Sequence, residues 1–154
     1  MKKPEIIMEK AGYKAVNLGD LKDLGDYSYL HPLLKMEIQG KYFLSESVLF
    51  TGCEISFQIM MPHTEIPFLH VHNENEEIYI FLKGKGEFFI DNDVFEVKEG
   101  TVIRVSPEAK RSWRNNSGTE LILMVIQAKK DSLNNFFVSD GKGLKDNFNW
   151  NDIK

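Results

Sequence analysis

From Tyr42 onward the chain runs in short stretches of aromatic, β-branched and aliphatic residues, broken every several positions by Gly, Pro, Asn or Asp. This rhythm leaves no room for long helices and is the pattern a multi-stranded antiparallel sheet requires. It predicts strands near 42–50, 53–61, 67–72, 77–82, 86–90, 94–98, 101–105, 111–115 and 119–127. Eleven Phe, five Tyr and two Trp point the same way, since aromatic residues favour strands. The breaks at Lys83-Gly84-Lys85-Gly86, Asp91-Asn92-Asp93 and Glu99-Gly100 read as hairpin turns, because Gly, Asn and Asp tolerate positive φ. Strands with hardly a helical stretch between them cannot form a parallel α/β sheet. A sandwich or barrel hides their edges, and an all-β antiparallel fold is expected.

The 154 residues suffice for one domain with one core and no disulfide staple. Residues 41–128 are expected to form the barrel. Residues 1–40 are mixed in character, with the turn-prone LGDLKDLGD at 18–26 and a short helix near His31–Lys35, and read as an arm across it. Residues 129–154 form a tail with Phe136, Phe137, Phe148 and Trp150, too aromatic for a freely solvated terminus. The tail is expected to dock on the barrel or on a second subunit.

A formal net charge of -4 gives no basic field for a polyanion, so nucleic acid is not an expected partner. No segment has the roughly 20 apolar residues of a membrane span, and the N-terminus lacks the apolar run of a signal sequence. A cytoplasmic protein is expected. Cys53, the single cysteine, rules out an intrachain disulfide and a cysteine-based zinc site, and reads as an inert buried thiol.

The chemistry concentrates in PFLHVHNENEEIYIFLKGKGEF at 67–88. His70 and His72 stand two apart on an expected strand, so both imidazoles leave one face. After a reversal at 73–76, Glu77 opens the next strand and its carboxylate can return beside the rings. Two imidazoles and a carboxylate with open positions suit Fe(II), Mn and related divalent ions. Alternation places Glu76 outward, and puts Tyr79 and Phe81 on the face of Glu77, where they would line a pocket. Arg104, an isolated charge in a β-rich run, is a second candidate anion anchor, and Trp113 a candidate cap.

Four residues separate His72 from Glu77 and six separate Glu77 from Gly84. With that spacing the segment resembles the first motif of the cupin superfamily. The second motif would begin at Gly100 after fifteen residues, with Pro107 and Asn115 or Asn116 near their places. The resemblance covers about residues 60–127 and implies a double-stranded β-helix, a jelly-roll barrel. It implies His70, His72 and Glu77 as ligands of a divalent metal such as Fe, Mn, Ni or Zn. It further implies a small-molecule ligand and a homodimer, the arm and tail supplying the dimer surface.

The chain departs from the pattern at two places. Thr64, with His63 beside it, stands where the first motif has its upstream glycine. The histidine that is usually the fourth ligand is absent; Arg111 or Ser112 takes its position, depending on the register, and neither replaces an imidazole. If Arg111 faces inward beside a metal, it would hold an acidic ligand by paired hydrogen bonds. If instead it pairs with Glu77, the pocket is a metal-free polar site. In the third reading Arg111 points outward. The expected function is accordingly a small cupin whose pocket binds a small metabolite, acidic ones favoured by Arg111, at a degenerate His-His-Glu metal site. The alternative is a non-catalytic, metal-free binding cupin. Oxygenase, isomerase and lyase chemistry stay open, and a metal-free epimerase relative ranks last.

Overall fold

A computed structural model of the chain describes residues 2–32, 35–135, 137, 139–144 and 148–153. An N-terminal hairpin of β1 (Glu5–Lys10) and β2 (Tyr13–Asn17) precedes a 3-10 turn at Leu21–Asp26. Next come β3 (Ser28–Leu30), β4 (Glu37–Gln39), β5 (Lys41–Phe43) and a single helical turn, α1 (Ser45–Val48). The barrel strands are β6 (Glu54–Met60), β7 (Thr64–Glu65), β8 (Asn75–Lys83) and β9 (Lys85–Ile90). They continue with β10 (Asp93–Lys98), β11 (Val102–Val105), β12 (Arg111–Asn115) and β13 (Leu121–Lys129).

Two antiparallel sheets form the barrel, one in the order β11-β8-β13-β6-β5 and the other β10-β9-β12-β7. Their facing sides share one cluster, with Tyr79, Phe81, Leu123 and Val125 from the first sheet and Phe88, Val97 and Trp113 from the second. The cause is strand alternation: along β8, Glu77, Tyr79 and Phe81 are buried while Ile78 and Ile80 are only partly so. A second cluster lies on the other side of the larger sheet, where Leu24, Tyr27, Tyr42 and Leu44 pack against Ile59 and Ile122. The arm thus covers apolar surface the barrel would otherwise leave wet.

Gly84 shows how tightly the strands are joined. Its φ is +83°, and a Cβ there would lie 2.1 Å from the Glu120 carbonyl oxygen. Asn115, 1% exposed, ties β12 to its neighbours: its amide nitrogen donates to Met60 O at 3.0 Å and Thr119 O at 2.7 Å.

Three expectations are corrected. The run at 42–50 is not one strand, because Ser45 bonds through N and Oγ to the Glu54 carboxylate and the chain coils into α1, ending at Leu49 in the left-handed region (φ +63°). The run at 67–72 is not a regular strand: Pro67 has no N–H to give a ladder, and only an isolated bridge joins His70 to Arg111. In the tail, Phe137, Phe148 and Trp150 are exposed, with Phe148 and Trp150 packed edge to face at 4.9 Å, so these rings do not dock on the barrel. The helix expected near His31–Lys35 falls partly on residues 33 and 34, which, like Phe136, lie outside the described residues. No helix among the described residues is long and apolar enough to cross a membrane.

Candidate metal centre and its cavity

Glu77 enters the barrel interior at the start of β8 and is 3% exposed. Arg111 opens β12 on the inward face and is wholly buried, while Ser112 turns away to bond Ile66 O at 2.8 Å. The register is set by the backbone: His70 N donates to Arg111 O at 3.3 Å and Arg111 N returns to His70 O at 3.2 Å. His72 N donates to Pro107 O at 2.8 Å. These long-range bonds, in place of a strand ladder, bring both imidazoles to Glu77. His72 Nε2 lies 3.2 Å from Glu77 Oε1 and His70 Nε2 3.5 Å from Oε2.

The second oxygen is already held. Arg111 Nη2 donates to Glu77 Oε2 at 2.6 Å and Nε at 3.0 Å, and the Tyr79 hydroxyl donates to the same atom. Arg111 Nη1 is taken by Pro107 O at 3.1 Å and Ala109 O at 3.0 Å. Burial alone would push the Glu77 carboxyl up, but hydrogen bonds from His70, His72, Tyr79 and Arg111 outweigh it and hold the group well below the usual carboxylate range. Burial, reinforced by the adjacent Glu77 charge, pushes the Tyr79 phenol well above its ordinary value.

The donors fit a divalent ion. One ligand atom from each of His70, His72 and Glu77 lies within 4.8 Å of the others. Ligands about 2.1 Å from a tetrahedral ion stand roughly 3.4 Å apart; the 3.2 Å between His72 Nε2 and Glu77 Oε1 is close to that spacing, while His70 Nε2 approaches the other oxygen, Oε2, at 3.5 Å. Arg111 has no lone pair and is not a fourth ligand; it orients the carboxylate from behind, as outer-shell partners of metal sites do.

Beside the centre lies a cavity of about 630 Å³, a size suited to small organic ligands. His70, His72, Glu77 and Trp113 meet it from the barrel, Tyr29, His31 and Ile38 from the arm, and Lys41, Phe43, Gln58 and Gln127 from the larger sheet.

Several expected pocket residues sit elsewhere. Tyr79 and Phe81 are packed in the inner cluster, and neither is among the residues lining the cavity; Tyr79 acts on Glu77 through its hydroxyl. Arg104 pairs across the outer face with Ile78 and bonds Glu76 at 2.6 Å, so it is no anchor in this cavity. Arg111 is inward, yet its guanidinium is spent on Glu77 and on backbone carbonyls. Trp113 does line the cavity. His63 is exposed in a left-handed turn (φ +59°) away from it. Lys41, Gln58 and the arm residues escape a motif-based reading, since they lie upstream of both motifs.

Comparison with known proteins agrees with this fold. The cupin domain profile matches residues 56–127. A crystal structure of a cupin protein from Bacteroides fragilis is 34% identical, covers 68% of this chain and 88% of that one, and superposes with a TM-score of 0.65. The chain belongs to the cupin superfamily. The barrel is accordingly a double-stranded β-helix, and the spacing of His70, His72, Glu77 and Gly84 is similar to that of the cupin first motif. A Cupin 2 conserved barrel domain protein from Salinispora arenicola shares the fold at 17% identity, with a TM-score of 0.56 over 68% of this chain and 83% of that one. An uncharacterized protein of Methanocaldococcus jannaschii is 33% identical over 67 residues, 44% of this chain and 54% of that relative. The match thus spans about half of that curated relative's length.

Proposed function

We propose that this cupin binds a small organic molecule in its cavity at a three-ligand divalent-metal centre of His70, His72 and Glu77. The observation that carries the reading is the convergence of both Nε2 atoms on the Glu77 carboxylate, His72 at Oε1 and His70 at Oε2, the oxygen that Arg111 and Tyr79 also hold. Arg111 also cancels the charge of Glu77, so a bound ion would keep its positive field and favour an acidic ligand. When bound, such an ion supplies Lewis-acid polarisation and lowers the pKa of water at its open positions.

One observation favours the metal-free alternative. His70 Nδ1 is buried without a hydrogen-bond partner, whereas metal-bound histidines usually donate that N–H to an acceptor. Elemental analysis of untagged protein decides between the two. About one equivalent of Fe, Mn, Ni or Zn, lost in His70→Ala and His72→Ala, supports the metal centre. Stoichiometry near zero, together with no rise in melting temperature on adding those ions, overturns it in favour of the metal-free pocket.

A further inference from the structure

One cation in the cavity has no role in the metal centre. Lys41 is partly buried on β5 and lines the cavity. Its ammonium lies 5.0 Å over the Phe43 ring, and among the described residues no carboxylate stands within ion-pair distance of it. Burial lowers its pKa to about 8 against the pull of the Glu77 and Glu54 charges. A desolvated ammonium with no counter-ion is unfavourable, and an anion seated beside it relieves that cost.

The neighbours of Lys41 describe that anion further. Lys41 stands directly across from Gln58 in the β5–β6 register, so the two side chains share the cavity face. Gln58 is 4% exposed and its Oε1 is buried without a partner. Trp113 Nε1, at the same cavity, is likewise buried and unpartnered. A hydroxyl meets these needs: it both donates and accepts, and so satisfies the Gln58 amide in either orientation. Tyr29, Ile38, Phe43 and Phe68 add an aromatic and aliphatic stretch of wall.

We propose that Lys41 is the anion anchor of the cavity, and that the ligand is a hydroxycarboxylic acid with an apolar or aromatic tail. Its carboxylate sits on Lys41, its hydroxyl on Gln58 and its tail against the aromatic wall. The proposal rests on the cavity being a ligand site, but not on whether the centre holds a metal.

Isothermal titration of the full chain, with and without a chelator, tests it using 3-phenyllactate, 3-phenylpropionate and 3-phenyllactamide as probes. The expected order is hydroxy acid tightest, with the acid lacking the hydroxyl and the uncharged amide each weaker by about tenfold. Lys41→Ala should lose at least about tenfold for both acids and little for the amide, while Lys41→Arg retains the acid preference. Gln58→Ala should erase the difference between hydroxy acid and plain acid. The inference is overturned if no probe binds at roughly millimolar concentration, if the amide binds as well as the acid, or if Lys41→Ala binds like wild type. Lys41-dependent binding that is equal with and without chelator supports the anchor and shows that no metal takes part in it; a metal-loaded protein indifferent to the acids would sink only the anchor.

Discussion

Removing the Arg111 guanidinium should be among the costliest single changes in this barrel. Arg111 is wholly buried and Glu77 is 3% exposed, so neither charge can turn to water when its partner disappears. In Arg111→Met, Glu77 Oε2 loses its 2.6 and 3.0 Å donors and keeps Tyr79 and the more distant His70 Nε2 at 3.5 Å, and the carbonyls of Pro107 and Ala109 lose theirs. Breaking a buried ion pair from one side costs about 3–5 kcal/mol. At roughly 2–4 °C per kcal/mol for a chain of this size, the melting temperature should fall by roughly 6–20 °C. Adding Glu77→Gln removes the stranded charge, so the double variant should regain about 2 kcal/mol or more of the loss. Urea unfolding at neutral pH in chelator gives the three free energies. A divalent ion should stabilise Arg111→Met more than it stabilises wild type, because a metal can then take over the neutralisation of Glu77. The reasoning fails if Arg111→Met loses less than about 1 kcal/mol, or if the double variant is less stable than the single.

Other consequences can be measured as directly. The Lys41 pKa falls from 10.5 to about 8 on folding, so between those values the unfolded chain holds more protons and stability rises with pH. Lys41→Met should therefore be more stable than wild type near pH 7, and wild type should close the gap as the pH is raised through that window; a constant gap contradicts this. Gly84 and Gly100 both have positive φ, but only Gly84 faces a carbonyl that an added Cβ would strike. Gly100→Ala should cost about 1 kcal/mol and Gly84→Ala clearly more, as chemical denaturation of both will show. The β1–β2 hairpin exposes Ile6, Ile7, Met8 and Tyr13, an apolar surface that suits a subunit contact. A dimeric mass is expected by light scattering at micromolar concentration, and a monomer would refute it.

The His70, His72 and Glu77 cluster was legible because it depends on spacing alone: the three side chains converge as the first motif predicts. The path to it was not. His70 is held by a pair of backbone bonds with Arg111 and His72 by one to Pro107, long-range contacts that no local periodicity reveals. The same bridge resolves whether Arg111 or Ser112 faces inward, which strand alternation left undecided because a one-residue slip exchanges the faces. Lys41 was hidden because it stands one residue ahead of the strand expected at 42–50, where no motif gives a lone lysine a role. Phe81 was placed in the pocket correctly as to face but wrongly as to depth, as β8 runs past the cavity into the core.

The arm that covers Ile59 and Ile122 also supplies Tyr29, His31 and Ile38 to the cavity, and β3 and β4 lie outside the segment matched by the family profile. One short stretch therefore seals the scaffold and shapes what it admits. Substitutions at its cavity-facing positions offer a route to new ligand preferences while the motif strands stay unchanged. Cutting the barrel out at residue 41 would do the reverse, stripping a wall from the binding chamber and baring a sticky patch on the sheet behind it.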